Sequence, residues 1–256
     1  MFSVSVAQNI WWVDLKNGND SNAGSTEATA FKTVHHALES NTWSSGDTIK
    51  VKPSLASDGT LSYYDFGNDE IDIGSNKDFV LMGTGGADST IFDAEEKNRH
   101  FNIRYTTSNT IIKGITFKNG TTSNWPGGGS IFLEYSNTAL QFVDCKWENN
   151  FVVSNEGGGA IIIRDGATPS FTNCVFKNNY VDDPSDTEVG SLQVCTDTSG
   201  NATAKTSADL AIGSIVIANN GSSFVWGGYV IKWKKKLIYF QRKKYAKLQM
   251  IIVVVK

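Results

Sequence analysis

The sequence predicts an all-β chain, a right-handed parallel β-helix whose first turn is closed by a short amino-terminal helix. Three observations predict it. Short segments recur at a spacing near 30 residues; the recurring segments alternate apolar and polar residues; and none is long enough to bury its own apolar side.

The recurrence is clearest in IKGITFKN (112–119), FVDCKWEN (142–149), FTNCVFKN (171–178) and IGSIVIAN (212–219), offset by 30, 29 and 41 residues. A second element, GGGSIFL (127–133) and GGGAIII (157–163), repeats at an offset of 30. Within the first element Ile115/Phe117, Cys145/Trp147, Cys174/Phe176 and Ile215/Ile217 alternate with Thr116, Lys146, Val175 and Val216. Period two is the signature of a strand with one inward face. Helical repeats of similar length would need apolar residues at i, i+3, i+4 and i+7, and these segments lack them. Stacking the turns solves the burial problem, because each strand pairs in parallel with its counterpart about 4.8 Å along the axis.

The alignment also assigns columns. Asn119, Asn149, Asn178 and Asn219 fall at one corner, where Asn tolerates left-handed backbone and can bond its counterpart above and below. They are expected to form a structural ladder. The Gly triplets are expected at tight corners with positive φ, and they do not precede helices as phosphate-binding loops would. Cys145 and Cys174 share an inward column and are read as small buried hydrophobes; a disulfide between them is possible by distance, but their Cβ vectors point the same way. Cys195 lies outside the template. Three cysteines are too few for a disulfide scaffold, and no CxxC pair suggests zinc or redox chemistry.

Upstream, a strand is expected at 10–14, then a Gly/Asn/Ser-rich loop, then a helix near 31–39 that buries Phe31, Val34, Ala37 and Leu38 on one stripe. Gly46-Asp47 turns the chain into a strand at 48–51. A solenoid needs such a cap, since an open end exposes both core and strand edge. The run WVD…NGNDSNAG…FKTVHHAL…GDTIKVKP resembles the amino-terminal cap of bacterial pectate-lyase-like β-helix proteins. The GGGAI…FxxCxFxNN copies resemble the repeats of polymorphic outer-membrane proteins and related surface adhesins. Together the resemblance covers roughly residues 10–228; it implies fold and export more than activity, since one fold hosts many functions. The chain departs from that pattern after Lys52-Pro53, where Ser54 follows and Tyr63-Tyr64 arrive late, so the first turn is expected to carry an insertion.

The expected organisation is therefore residues 1–9 as a possible signal-peptide remnant, a β-helix domain at 10–228 (cap 10–46, coils 47–228), and an atypical tail at 229–256. Val4-Ser5-Val6-Ala7 reads either as the small-residue end of a signal peptide or as an ordinary first strand. The tail holds nine basic residues and no acid, which leaves 14 bases against 26 acids elsewhere, a net of −12. An acidic body argues against nucleic acid as a partner. The tail reads as a frameshifted or truncated end, as a basic amphipathic segment on an anionic membrane, or as a final strand. No run of about 18 apolar residues exists, so no transmembrane helix is expected.

Candidate site residues are few. The outward polar candidates are Asp93, Glu134, Asp144, Arg164 and Asp165; Asp144 shares its template position with Gly114, Asn173 and Gly213, so no acidic column is built there. Arg99, His100 and Arg104 fall in one turn without an obvious carboxylate partner. Asp14, Asn17, Asn19, Asp20 and Asn22 could offer oxygens to calcium, but the spacing lacks the final acidic ligand of a hand-type loop and these residues also build turns. No other cofactor or metal is expected. His35 and His36 point apart and are expected to face solvent. Trp125, in TTSNWPGGG, is the carbohydrate-binding candidate by ring stacking, against a plain role as loop anchor.

These readings favour a secreted or cell-surface protein with a binding, adhesion or structural role, presenting loops such as 181–188 to a polysaccharide or cell-surface partner. The alternative is a polysaccharide lyase or glycoside hydrolase acting on uronic-acid-type polymers, with its active coils missing from this chain. A non-functional gene fragment is the third reading.

Overall fold

The computed structural model describes residues 8–40, 43–53, 70–74, 76–123, 127–135, 138–153, 158–163 and 167–179, and the backbone of strands at 180–181, 215–217, 223–226 and 229–232. The chain enters through β1 (Ile10–Val13) and α1 (Val34–Glu39), then β2 (Thr48–Val51) and β3 (Ile71–Ile73). A turn of three strands follows: β4 (Val80–Gly83), β5 (Ile91–Asp93) and β6 (Phe101–Arg104). The next turns carry four strands each. They are β7 (Thr110–Lys113), β8 (Thr116–Lys118), β9 (Thr121–Thr122) and β10 (Ile131–Glu134), then β11 (Leu140–Val143), β12 (Lys146–Glu148), β13 (Phe151–Val152) and β14 (Ile161–Ile163). After β15 (Ser170–Thr172), β16 (Val175–Lys177) and β17 (Tyr180–Val181) come β18 (Ile215–Ile217), β19 (Ser223–Trp226) and β20 (Tyr229–Lys232).

These strands stack into four sheets: A (β1-β2-β4-β7-β11-β15-β19-β20), B (β5-β8-β12-β16), C (β9-β13-β17) and D (β3-β6-β10-β14-β18). Every pairing among the described strands is parallel except the last, where Tyr229–Lys232 runs antiparallel to β19. The fold is an all-β parallel solenoid with a short amino-terminal helix, as the sequence predicts.

Inside, the period-two residues form continuous columns. Phe117, Trp147 and Phe176 stack ring on ring, at centroid distances of 5.3 and 4.6 Å, and Phe142 stacks on Phe171 at 5.1 Å. Cys145 and Cys174 are buried beside them as free thiols, whose Sγ atoms donate to the carbonyls of Ile112 and Phe142 one turn away. Burial pushes the Cys145 thiol well above its ordinary range, so it stays a neutral packing group.

The corners refine the expected ladder by one residue. Asn119, Asn149 and Asn178 do adopt left-handed φ (53°, 55° and 55°), but the inward ladder is built by the residue after them. Asn150 Oδ1 accepts from Gly120 N, and Asn150 Nδ2 donates to Phe117 O and to Asn179 Oδ1. Asn179 Nδ2 repeats the pattern with Trp147 O, at 3.0 Å. One turn earlier Gly120 occupies the ladder position, and His100 fills the space: a Cβ on Gly120 would lie 2.8 Å from His100 Nδ1. His100 Nε2 meets Phe92 O at 2.9 Å, supplying the donor that Asn150 and Asn179 supply to the next two turns. Nδ1 is then the acceptor for the Ser130 hydroxyl, at 3.0 Å.

The fourth copy of the first repeat, 212–219, is corrected. Its strand β18 pairs with β14, Ile161 opposite Ile215, in sheet D rather than following β16 in sheet B. Alternation alone cannot tell one inward strand from another. Gly213-Ser214 matches Gly129-Ser130 and Gly159-Ala160, which precede the sheet D strands.

At the cap, Val34, Ala37 and Leu38 are buried as expected. The helix starts later than 31, because Phe31 is held in extended pairing: its N–H donates to Trp12 O and its carbonyl accepts from Asp14 N. Thr33 then caps the helix by accepting from His36 N. Residues 54–69, where the insertion is expected, lie outside the described residues.

Candidate functional site

A cleft of about 550 Å³ opens on the flank where sheet C meets the outer side of sheet D. Its lining comes from four successive parts of the chain: Glu70; Glu96, Lys97, Asn98 and Arg99; Thr121, Thr122 and Ser123; and Phe151 with Val153. The solenoid brings them together, since residues one turn apart in sequence stand next to one another along the axis.

Arg99 organises the cleft. Its Nε binds Glu70 Oε2 at 2.7 Å, its Nη2 donates to Thr122 Oγ1 at 3.2 Å, and the guanidinium lies over the Phe132 ring. Arg99 is only 7% exposed while Glu70 is 30% exposed, so the pair sits at the inner wall with the carboxylate toward the opening. Burial holds the Glu70 carboxyl above its ordinary range, and the nearby Asp72 adds to this while Arg99 opposes it. Burial also lowers Arg99, which keeps its charge at any ordinary pH.

The rim carries backbone strain. Glu95 and Glu96 both hold positive φ (52° and 58°), a conformation that L side chains with a Cβ adopt at a cost of about 1–2 kcal/mol each. Asp93 Oδ1 fixes this corner by accepting from Glu95 N, and Lys97 Nζ pairs with Glu95 Oε2 at 2.6 Å.

Beyond the cleft, the outer side of sheet D carries Arg104 between Asp72 and Glu134, with Tyr105 and Tyr135 stacked at 5.0 Å.

The expected site residues divide sharply. Asp93 is not an outward carboxylate: it is 3% exposed and takes both hydrogen bonds from Asn119 Nδ2. Glu134 does face outward, toward Arg104, and Asp144 is an exposed left-handed corner accepting from Asn173 Nδ2. Arg99, His100 and Arg104 part company. Arg99 lines the cleft, Arg104 sits on the outer sheet, and His100 is sealed in the interior, where desolvation lowers its pKa to about 4. The absent carboxylate partners exist one turn away as Glu70, Asp72 and Glu134. Applying the 30-residue offset to charged residues finds Glu134 from Arg104; Glu70 follows the stretch where an insertion is expected, and Phe101 stands opposite Ile71 at the same offset.

Of the side chains proposed for calcium, Asp14, Asp20 and Asn19 have oxygens that accept from protein donors. Asp14 accepts from Lys16 N, Asn17 N, Asn17 Nδ2 and Lys52 Nζ, and Asp20 from Lys32 N, Thr33 N and Thr33 Oγ1. Asn19 closes a turn onto Ser21 N, and Asn22 donates to Ala30 O. Among the described residues no group of three His, Cys, Asp or Glu side chains converges on a metal position. His35 pairs with Glu39 at 3.2 Å, and His36, half-buried, packs edge-on against Phe31. Trp125, Arg164, Asp165, Cys195 and the loop from 182 onward lie outside the described residues. No helix among the described residues is long and apolar enough to cross a membrane.

No protein-family model and no curated protein matches the chain. Solved structures with a similar backbone include the crystal structures of GH136 lacto-N-biosidase from Eubacterium ramulus, as selenomethionine derivative and as native protein. They share 11% identity with the chain at TM-scores of 0.42 and 0.38, over 66% of this chain. The chain spans about a third of the length of those structures, 34% in each case.

Proposed function

We propose that the protein is a saccharide-binding β-solenoid, working outside the cell or at its surface, that holds a polysaccharide or a cell-surface glycan in the lateral cleft. The observation that carries this reading is the make-up of the cleft. Its volume lies within the range of small-molecule sites, roughly 300–1,000 Å³. Hydroxyls, an amide and a buried ion pair face one apolar ring, Phe151. Sugars present that combination in reverse, with hydroxyls around the ring edge and C–H groups on its face. Trp125 follows Ser123 by two residues in sequence, and its candidate stacking role, against that of a loop anchor, belongs to the same proposal. The test is an oligosaccharide array followed by calorimetric titration of the hits. Binding that weakens at least several-fold in both Arg99→Ala and Trp125→Ala supports the reading, and binding indifferent to both removes it.

One observation favours a second reading, a glycoside hydrolase or polysaccharide lyase. Glu70 is a partly buried cleft carboxyl held above its ordinary pKa, the behaviour of a general acid. Incubating the purified protein with the glycans it binds separates the two. New reducing ends or an unsaturated product, lost in Glu70→Gln, would establish turnover; intact glycan establishes binding alone.

A further inference from the structure

We infer that the cleft selects neutral saccharides and rejects uronic-acid chains, because Arg99 is already committed to Glu70. This rests on the saccharide-binding reading above and specifies its ligand class. The described lining holds two cations and two carboxylates, and both cations are engaged: Arg99 with Glu70, and Lys97 with Glu95. An anionic sugar could recruit Arg99 only by pulling it off Glu70. That would leave a carboxylate at the inner wall without its counter-charge, the most costly way to break such a pair. Glu96, exposed on the rim, adds a second negative charge that a uronate would have to pass.

A neutral polyol meets no such obstacle. Glu70 Oε2 is taken by Arg99, whereas Oε1 has, among the described residues, a single contact at the long limit, 3.5 Å from Asn102 Nδ2. Oε1 therefore keeps acceptor capacity for a sugar hydroxyl. Asn98, Thr121 and Ser123 supply further donors and acceptors around the opening, and Phe151 offers the flat apolar wall.

The experiment compares neutral and uronic oligosaccharides of equal length on the whole protein, using xylo- and gluco-oligosaccharides against oligogalacturonate. The neutral series is expected to bind about fivefold or more tightly, the factor set by one like-charge contact in water, and with little dependence on salt. Glu70→Gln frees Arg99 and is expected to reverse the order, losing neutral ligand and gaining uronate. Glu96→Gln changes only an exposed rim residue, so it keeps the test alive if Glu70→Gln does not fold. It is expected to raise uronate affinity by a larger factor than neutral affinity, so that the preference for the neutral series shrinks. Tighter uronate binding by the native protein, or a uronate affinity unmoved by both variants, overturns the inference while the saccharide reading stands. Binding of neither class overturns that reading itself.

Discussion

The interior and the cleft are built from the same turns by opposite rules. In the interior, each turn repeats its predecessor: Phe117, Trp147 and Phe176 stack, and Asn150 and Asn179 answer one another's amide groups. In the cleft, each turn contributes something different: a carboxylate from one, a guanidinium from the next, hydroxyls and then a phenyl ring from those after. Repetition gives stability, because like side chains bond well to their own copies. Variation gives recognition, because a ligand needs unlike groups converging on it.

Breaking the interior is expected to have the largest effect. Trp147→Ala leaves a cavity between two phenyl rings and should cost about 3–5 kcal/mol in chemical denaturation. Trp147→Phe should cost much less, since Trp147 Nε1 is buried without an acceptor and nothing polar is lost. Equal losses for the two would show that the column is not close-packed.

Acid is expected to come next. His100 is neutral when folded, with its pKa lowered to about 4 from 6.5. Stability is full above the unfolded value of 6.5 and falls as pH drops, because the unfolded chain takes up the proton first. By about pH 4 the loss should reach ~3 kcal/mol. Asp14, Asp47 and Asp78, whose folded values are lowered below 3.8, add their losses only below that pH. A urea midpoint flat between pH 6.5 and 4 would mean that His100 is not sealed inside.

The smallest effect is expected in the cleft. Ser123→Ala, at an exposed lining position, should leave stability within about 0.5 kcal/mol while weakening saccharide binding. A large stability loss there would erase the contrast between the two regions.

The same contrast explains what can be read from the sequence. The solenoid and its inward columns are legible because every turn states them again, and the capping helix because Val34, Ala37 and Leu38 mark one apolar stripe. Errors arise where repetition is ambiguous. In the pairs Asn149-Asn150 and Asn178-Asn179 either residue fits a ladder, and only the backbone shows that the first turns the corner while the second points in. Asp93 reads as a surface acid, yet the neighbouring Asn119 amide draws it under cover. Glu70 is invisible because nothing near it in sequence marks it; its partner stands a full turn ahead. A site assembled from single occurrences leaves no periodic trace.

The sheet D register carries one more consequence. Ile131, Ile161 and Ile215 stand in line, although the second interval is far longer than the first. The scaffold thus tolerates very unequal excursions between rungs, and grafted segments of foreign sequence could be hosted at that flank without disturbing the rungs on either side.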